Sequence, residues 1–182
     1  MVDLGRREVT LALLRAGCLK RGRFKLSSGR ISDVYVDIRR LYSYPYELRI
    51  VVEEMSEVAR ELGCDMVAGI ETSGIPLASL IAFLLGKPMV YVRKSLKGHG
   101  TMRLVEGVVE EGAKVLVVDD VATTGSSILR AVRVLRHLGV SVERALVVVD
   151  RGEGAAEALG KEGVELHSLV SLDEILGVGE HA

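Results

Sequence analysis

Residues 115–127 read Val-Leu-Val-Val-Asp-Asp-Val-Ala-Thr-Thr-Gly-Ser-Ser, an apolar run that ends in two adjacent carboxylates, Asp119 and Asp120. A loop of hydroxyl residues and glycine follows, and a helical pattern of apolar residues begins at Ile128. The pattern predicts a buried strand, a loop and the start of a helix. Unpaired backbone N–H groups and the positive end of the helix dipole meet there, so the position favours an anion. A sugar phosphate, which carries hydroxyl groups as well, would also account for the two carboxylates.

An ordinary strand, turn and helix with a capping hydroxyl is the alternative interpretation of this segment. Caps account for Thr123 or Ser126. They do not account for two carboxylates that close a buried strand, because uncompensated charge is costly there. The segment therefore favours a binding site.

The composition is that of a globular protein of 182 residues, with 48% hydrophobic residues, 27% charged residues and a net charge of −1. One domain is expected at this length. The charge balance gives no sign of a nucleic-acid partner. No apolar run approaches the roughly 20 residues that span a bilayer, and the charged N-terminus is unlike a signal peptide. We therefore expect a cytoplasmic protein without a membrane partner.

Strand and helix patterns alternate along the chain. An amphipathic helix is predicted over 4–20, a strand over 24–38 and a helix from Pro45 to about Leu62. Further strands are predicted at 66–70, 89–92, 114–118, 142–149 and 164–170, and further helices at 75–85, 126–138 and 154–161. Apolar strands between helices predict an α/β fold, a mostly parallel sheet with helices on both faces. Ligands of such folds bind beyond the carboxyl ends of the strands.

The 115–127 segment resembles the phosphoribosyl-pyrophosphate (PRPP) motif of type I phosphoribosyltransferases, an apolar strand followed by Asp-Asp, two or three residues and Thr-Gly-Ser/Thr. The resemblance implies the fold of that family, with a small N-terminal hood at approximately 1–40 and a core at approximately 41–182. It also implies that the carboxylates face the ribose hydroxyls and a Mg²⁺ ion carried by PRPP, with no direct protein ligand. The implied PRPP-binding residues of this motif are Asp119, Asp120, Val121, Ala122, Thr123, Thr124, Gly125, Ser126 and Ser127.

A second loop, Glu71-Thr72-Ser73-Gly74, follows the strand predicted at 66–70. Its glycine and hydroxyl residues suit a close approach to an anion, and ordinary helix punctuation explains it equally well. The resemblance to type I phosphoribosyltransferases implies that this loop contacts pyrophosphate. Ser73 stands where some members have lysine, so backbone and hydroxyl contacts are expected here.

A basic segment follows the strand predicted at 89–92. Residues 93–103 hold four lysines or arginines, one histidine and no carboxylate. A solvated loop is the ordinary interpretation of such a cluster, but its place at the binding edge favours neutralisation of an anionic leaving group. The pattern Arg-Lys-x-x-Lys-x-His-Gly resembles the catalytic loop of orotate phosphoribosyltransferases. That resemblance implies a homodimer in which Arg93, Lys97 and His99 reach the neighbouring subunit's site, with Lys94 also on pyrophosphate.

Two further segments are similar to those of orotate phosphoribosyltransferases. Asp150-Arg151-Gly152-Glu153-Gly154 follows the strand predicted at 142–149, and its arginine can hold a planar carboxylate with two hydrogen bonds. A surface turn is the alternative. The resemblance implies that Arg151 contacts orotate, with Thr123 beside the ring. Residues 24–35 are similar to the hood segment, except that Ser27 stands where many members have lysine, and Lys25 is expected to point elsewhere.

The reaction implied by the resemblance is Mg²⁺-dependent transfer of the phosphoribosyl group from PRPP to orotate, in the synthesis of UMP. The implied catalytic residues are Lys97, His99, Asp119 and Asp120. Three alternatives stay open: a phosphoribosyltransferase for another base, a PRPP-binding regulator that binds DNA, and a catalytically silent binding subunit. A regulator is expected to carry an added helix-turn-helix domain or a basic face.

Overall fold

The computed structural model describes residues 2–25, 29–95 and 104–179. Within these ranges the helices are α1 (Val2–Arg15), α2 (Pro45–Leu62), α3 (Gly74–Leu85), α4 (Ser126–Arg136), α5 (Ala155–Gly160) and α6 (Leu172–Gly179), and a 3₁₀ helix spans Ile38–Ser43. The strands are β1 (Leu19–Lys25), β2 (Ile31–Val36), β3 (Met66–Ile70), β4 (Met89–Val92), β5 (Val105–Glu106), β6 (Lys114–Ala122), β7 (Ser141–Asp150) and β8 (Glu165–Ser171).

The central sheet has the strand order β5-β4-β3-β6-β7-β8, and its pairings are parallel except for that of β5 with β4. Successive residues of β6 face opposite layers, as the strand period of two requires. Leu116 and Val118 pack with α1, α2 and α3, whereas Val115 and Val117 pack with α4 and α5. The predicted α/β fold, with helices on both faces of a mostly parallel sheet, is confirmed.

The strand order reverses between β3 and β6. From β3 the chain continues outward to β4 and β5, and from β6 it continues outward to β7 and β8. β6 pairs with β3 as far as Val118 and with β7 as far as Ala122. The end of β6 therefore lies beside a crevice at the carboxyl edge, the place where open α/β sheets bind ligands.

The N-terminal prediction was partly wrong. α1 ends at Arg15 because Gly17 adopts a left-handed conformation, with φ 66°, and the chain then turns into β1. The strand predicted over 24–38 is instead an antiparallel hairpin of β1 and β2, followed by the 3₁₀ helix. Ile38 is fully buried, so the alternating pattern identified its burial but not its backbone conformation.

The two cysteines lie outside the helices of the described ranges. Cys18 follows α1 and is buried, while Cys64 follows α2 and packs partly buried against the core, and both thiols are free. None of the helices in the described ranges combines the length and apolarity needed to cross a membrane.

Two further elements of the structure, β6 and α6, differ from the sequence prediction. β6 runs four residues beyond the predicted end at 118, because its pairing with β7 continues to Asp150, so the acid pair belongs to the strand. The sequence analysis also missed α6. Its capping box was a usable signal: the Glu174 N–H donates to Ser171 Oγ at 3.2 Å, and the Ser171 N–H donates to Glu174 Oε2 at 2.6 Å.

The start of α3 lies directly against β6. A Cβ atom on Gly74 would lie 2.5 Å from the Val118 carbonyl oxygen and 3.3 Å from Asp119 Oδ1. A Cβ atom on Gly69 in β3 would in turn lie 2.8 Å from the Gly74 carbonyl oxygen. Glycine at these positions brings the loop after β3 next to the acid pair.

We expect Gly74→Ala to destabilise the fold by about 1–3 kcal/mol, because the added methyl group overlaps backbone that cannot move independently. Gly177→Ala in α6 is the matched control, since a Cβ atom there meets nothing within 4 Å. The control should leave stability unchanged or raise it by about 0.5–1 kcal/mol. Urea unfolding of both variants makes the comparison, and equal midpoints would contradict the close approach of α3 to β6.

Candidate active site

A cavity of about 630 Å³ opens at the carboxyl edge of the sheet, beside the end of β6. Its wall is formed by five parts of the chain: the hood, the loop after β3, the start of the basic segment, the 115–127 segment and the segment after β7. The lining residues are Lys25, Tyr35, Val36, Arg39, Ile70, Glu71, Thr72, Ser73, Lys94, Asp119, Asp120, Val121, Thr123, Ser126, Ser127, Arg130 and Arg151.

The acid pair lies on this wall with few groups to offset its charge. Asp119 Oδ1 accepts the Asp120 N–H at 3.0 Å, and Asp119 Oδ2 accepts the Ser127 hydroxyl at 3.4 Å. Asp120 Oδ1 accepts the Val121 N–H at 2.9 Å. Burial, and next to it the charge of Asp120, raise the pKa of Asp119 well above its ordinary range. Burial also raises the pKa of Asp120, so the site favours a ligand that neutralises or solvates these carboxylates.

The loop after β6 leads into an uncapped helix. Gly125 is the N-cap of α4 with φ 77°, a left-handed conformation that suits glycine, and no side chain caps this helix. Ser126 and Ser127 in its first turn line the cavity. Backbone donors and the positive end of the dipole therefore face the cavity, as an anion site requires. Other members of the predicted set, namely Ala122, Thr124 and Gly125, are not part of the wall.

The basic segment is only partly described. Lys94 lines the cavity, whereas Arg93 does not. The Arg93 side chain is 16% exposed, and its Nη1 atom lies 3.5 Å from Glu106 Oε1. Lys97 and His99 lie outside the described residues. The assignment of Arg93, Lys97 and His99 to a neighbouring subunit's site stays a prediction.

Arg151 lines the cavity and also joins the hood to the core. Its Nε atom donates to Glu153 Oε1 at 2.8 Å, its Nη2 atom to Ser32 Oγ at 3.1 Å, and its Nη1 atom to the Val34 carbonyl oxygen at 3.4 Å. Its side chain is only 4% exposed. The sequence analysis did not anticipate that Glu153 pairs with this arginine.

The hood contributes wall residues that the sequence analysis missed. Lys25, which was expected to point elsewhere, lies in the β1–β2 hairpin and is part of the wall. Arg39 is also part of the wall, with its Nε atom donating to Asp37 Oδ1 at 2.7 Å. The signal was absent from local sequence, because the fold of the hood over the sheet edge decides which side chains face inward.

A partly buried tyrosine, Tyr42, connects the hood to the loop after β3. The Tyr42 hydroxyl donates to the Ser73 carbonyl oxygen at 2.7 Å. Burial, followed by the nearby charges of Asp120 and Asp119, raises the pKa of Tyr42. The hydroxyl therefore stays protonated and available as a donor at neutral pH.

Comparison with known proteins decides the family. Residues 39–170 match the model of the phosphoribosyl transferase domain. The chain belongs to this family. It is 48% identical over 165 residues to the orotate phosphoribosyltransferase of Sulfolobus acidocaldarius, an alignment that covers 91% of this chain and 83% of the relative. The resemblance to orotate phosphoribosyltransferases is thereby confirmed, and the protein is a phosphoribosyltransferase enzyme.

Solved structures agree with this assignment. The orotate phosphoribosyltransferase of Aeropyrum pernix matches with a TM-score of 0.87 and 44% identity, covering 96% of this chain and 99% of the relative. The orotate phosphoribosyltransferase of Mycobacterium tuberculosis, crystallised with PRPP, matches with a TM-score of 0.75 and 33% identity. That alignment covers 94% of this phosphoribosyltransferase and 98% of the relative.

We expect Asp119→Asn to stabilise the protein at neutral pH by about 1 kcal/mol. Because the carboxyl pKa is raised in the folded state, folding is favoured at low pH, and this contribution is lost as the pH rises from the unfolded carboxyl pKa of about 4 through the raised value. Without Mg²⁺ or PRPP, the melting temperature of Asp119→Asn should therefore exceed that of the wild type at pH 7.5. The two melting temperatures should converge near pH 4.

Asp33→Asn serves as the control for this substitution, because Asp33 is exposed on β2. It should leave the melting temperature unchanged at both pH values. A lower melting temperature of Asp119→Asn than of the wild type at pH 7.5 would show that the carboxylate stabilises the fold instead.

Proposed function

We propose that this phosphoribosyltransferase transfers the phosphoribosyl group of PRPP to N1 of orotate, giving orotidine 5′-monophosphate and pyrophosphate in pyrimidine biosynthesis. The observation that carries the proposal is the shared cavity wall of the acid pair, the uncapped start of α4 and the cations Lys94 and Arg151. The relatives named orotate phosphoribosyltransferases support the base, and the M. tuberculosis complex supports PRPP.

The wall suits a Mg²⁺ ion that enters with PRPP. Asp119 and Asp120 present carboxylate oxygens, the hard donors that Mg²⁺ prefers, and water can bridge them to the ion. Within the described ranges no cluster of three or more His, Cys, Asp or Glu side chains could hold a metal ion by itself. The phosphate and ribose oxygens of PRPP therefore supply most ligands in this proposal. When bound, the ion offsets the charge of the departing pyrophosphate.

The chain's own residues position the reactants and balance charge. The backbone around Ser126 and Ser127 holds the 5′-phosphate, and the acid pair accepts hydrogen bonds from the ribose hydroxyls. The bond from C1′ to the pyrophosphate oxygen breaks with its electron pair leaving on pyrophosphate, while N1 of orotate bonds to C1′ and releases its proton to solvent. Lys94 offsets the growing negative charge. Lys97 and His99 are proposed to assist the same departure.

Arg151 is the proposed contact for the orotate carboxylate, with Thr123 beside the ring. A guanidinium has five N–H donors. Three are engaged by Glu153, Ser32 and Val34. This count leaves one N–H on each terminal nitrogen, and we propose that these two groups bind the orotate carboxylate.

A homodimer is the proposed assembly, with the basic segment shared between subunits. α3 offers an association surface, since Leu80, Phe83 and Leu84 are exposed and Phe83 is 82% exposed.

We place the reaction in the cytoplasm, as expected for an enzyme of pyrimidine biosynthesis.

The activity is tested by following orotate absorbance with PRPP and Mg²⁺. Arg151→Met should raise the KM for orotate about 10- to 100-fold, because a charged hydrogen bond contributes about 1.5–3 kcal/mol. The KM for PRPP should change little. The control is Arg60→Met on α2, whose guanidinium pairs with Glu57 on the surface, and it should behave as the wild type.

Other outcomes separate the alternatives. Pyrophosphate release with hypoxanthine, adenine or uracil, and none with orotate, would contradict the choice of base. PRPP binding without turnover of any base would favour the silent subunit or the regulator. An unchanged KM for orotate in Arg151→Met would refute the carboxylate contact alone.

A further inference from the structure

We propose that Arg130 is a positioning residue, which together with Glu71 holds the backbone of Arg93 and Lys94 and so fixes Lys94 at the cavity. We call these two side chains and the backbone groups they bind the Arg130–Glu71 clamp. The proposal rests on the proposed function, since it assigns the clamp to the same site and to the departure of pyrophosphate.

The guanidinium of Arg130 binds two successive carbonyl groups. Its Nη2 atom donates to the Arg93 carbonyl oxygen at 2.9 Å, and its Nη1 atom donates to the Lys94 carbonyl oxygen at 2.7 Å. The planar fork of arginine suits such a pair of acceptors, whereas a lysine ammonium is a single point charge. This contact spans 36 residues of sequence and joins α4 to the segment after β4.

Glu71 binds the N–H group of Lys94, the residue whose carbonyl group Arg130 binds. Its Oε2 atom accepts the Lys94 N–H at 2.7 Å. The Lys94 N–H is thus bound by an anion and the Lys94 carbonyl by a cation, and both hydrogen bonds are of the stronger, charge-assisted kind. Nothing in the side chain of Lys94 is needed for this, so its ammonium group stays available for a ligand.

The clamp connects three segments that meet at the cavity. Glu71 follows β3, Lys94 follows β4, and Arg130 lies one turn after Ser126, whose backbone belongs to the proposed phosphate site. The adjoining backbone is also paired, since the Arg93 N–H donates to the Leu104 carbonyl at 2.8 Å and the Glu71 N–H to the Val92 carbonyl at 2.9 Å. The helix that faces the proposed phosphate site therefore also sets the position of Lys94, a cation of the basic segment that lines the cavity.

Removal of the fork should misplace Lys94. Misplacement of about 1 Å at a catalytic site costs about 100-fold in rate. We expect Arg130→Met to lower kcat about 10- to 100-fold, with a smaller change in the KM for PRPP, and to accelerate deuterium exchange at the Lys94 amide. Arg130→Lys should recover part of both, because its ammonium reaches one of the two carbonyls.

Arg133→Met on the same helix is the matched control. The Arg133 Nη2 atom lies 2.7 Å from Glu162 Oε1, its side chain is 65% exposed, and it is not part of the cavity wall. This variant loses an arginine of α4 and one ion pair, and it should match the wild type in kcat, KM and exchange at Lys94. Thermal unfolding of the three variants and the wild type confirms that each is folded under the assay conditions.

Two results would overturn the proposal. Unchanged kcat and unchanged Lys94 exchange in Arg130→Met would show that the clamp positions nothing. A raised KM for PRPP with unchanged kcat and exchange would show that Arg130 contacts the ligand directly. Failure of the wild type to use orotate would refute the proposed function instead. Exchange at Lys94, which needs no substrate, would then still decide whether the clamp exists.

Discussion

The site depends on one constraint: β6 pairs with its two neighbouring strands over different lengths. β3 stays paired with β6 as far as Val118, while β7 continues to Ala122. The last residues of β6 therefore remain in extended conformation at an open crevice, where the sheet no longer shields them on the β3 side. Gly74 permits the loop after β3 to close against this same edge. Parallel strands then bring the segments after β3, β4, β6 and β7 to one place.

Electrostatics supports the proposal that this edge of the sheet is a binding site. Burial raises the pKa of both carboxyls of the acid pair, so Asp119 and Asp120 reduce the stability of the ligand-free protein at neutral pH. The same cavity wall also carries cations, among them Lys94 and Arg151. A ligand that carries both hydroxyl groups and phosphates suits a wall with charges of both signs better than a simple anion does. The arrangement exchanges some stability for affinity, as active sites commonly do.

Local sequence was sufficient to predict most strands of the core and the polar segments that follow them. Apolar runs ending at Ile70, Val92 and Val149 indicated buried strands, and the polar segments after them do meet at the carboxyl edge. The end of β6 was misplaced because charged residues normally end a buried strand, whereas here long-range pairing with β7 extends it. The hairpin of the hood was missed for a related reason: β1 has an exposed, mostly charged sequence that only its pairing with β2 orders.

Local sequence patterns could not identify the side chains that support the site. Arg130 occupies an ordinary position in an amphipathic helix, and its partners lie 36 and 37 residues away. Glu153 is two residues from Arg151, yet its role depends on the hood folding over both. Such contacts follow from the tertiary arrangement, since spacing along one element carries no information about a neighbouring loop.

A crystal structure of the protein with Mg²⁺ and PRPP tests the central claim most directly, namely that the end of β6 and the start of α4 form the ribose-phosphate site. The account predicts the 5′-phosphate against the backbone N–H groups of residues 124–127, with ribose hydroxyls within hydrogen-bonding distance of the Asp119 and Asp120 carboxylates. PRPP bound elsewhere on the protein, or bound in this cavity with its ribose away from the acid pair, would contradict it.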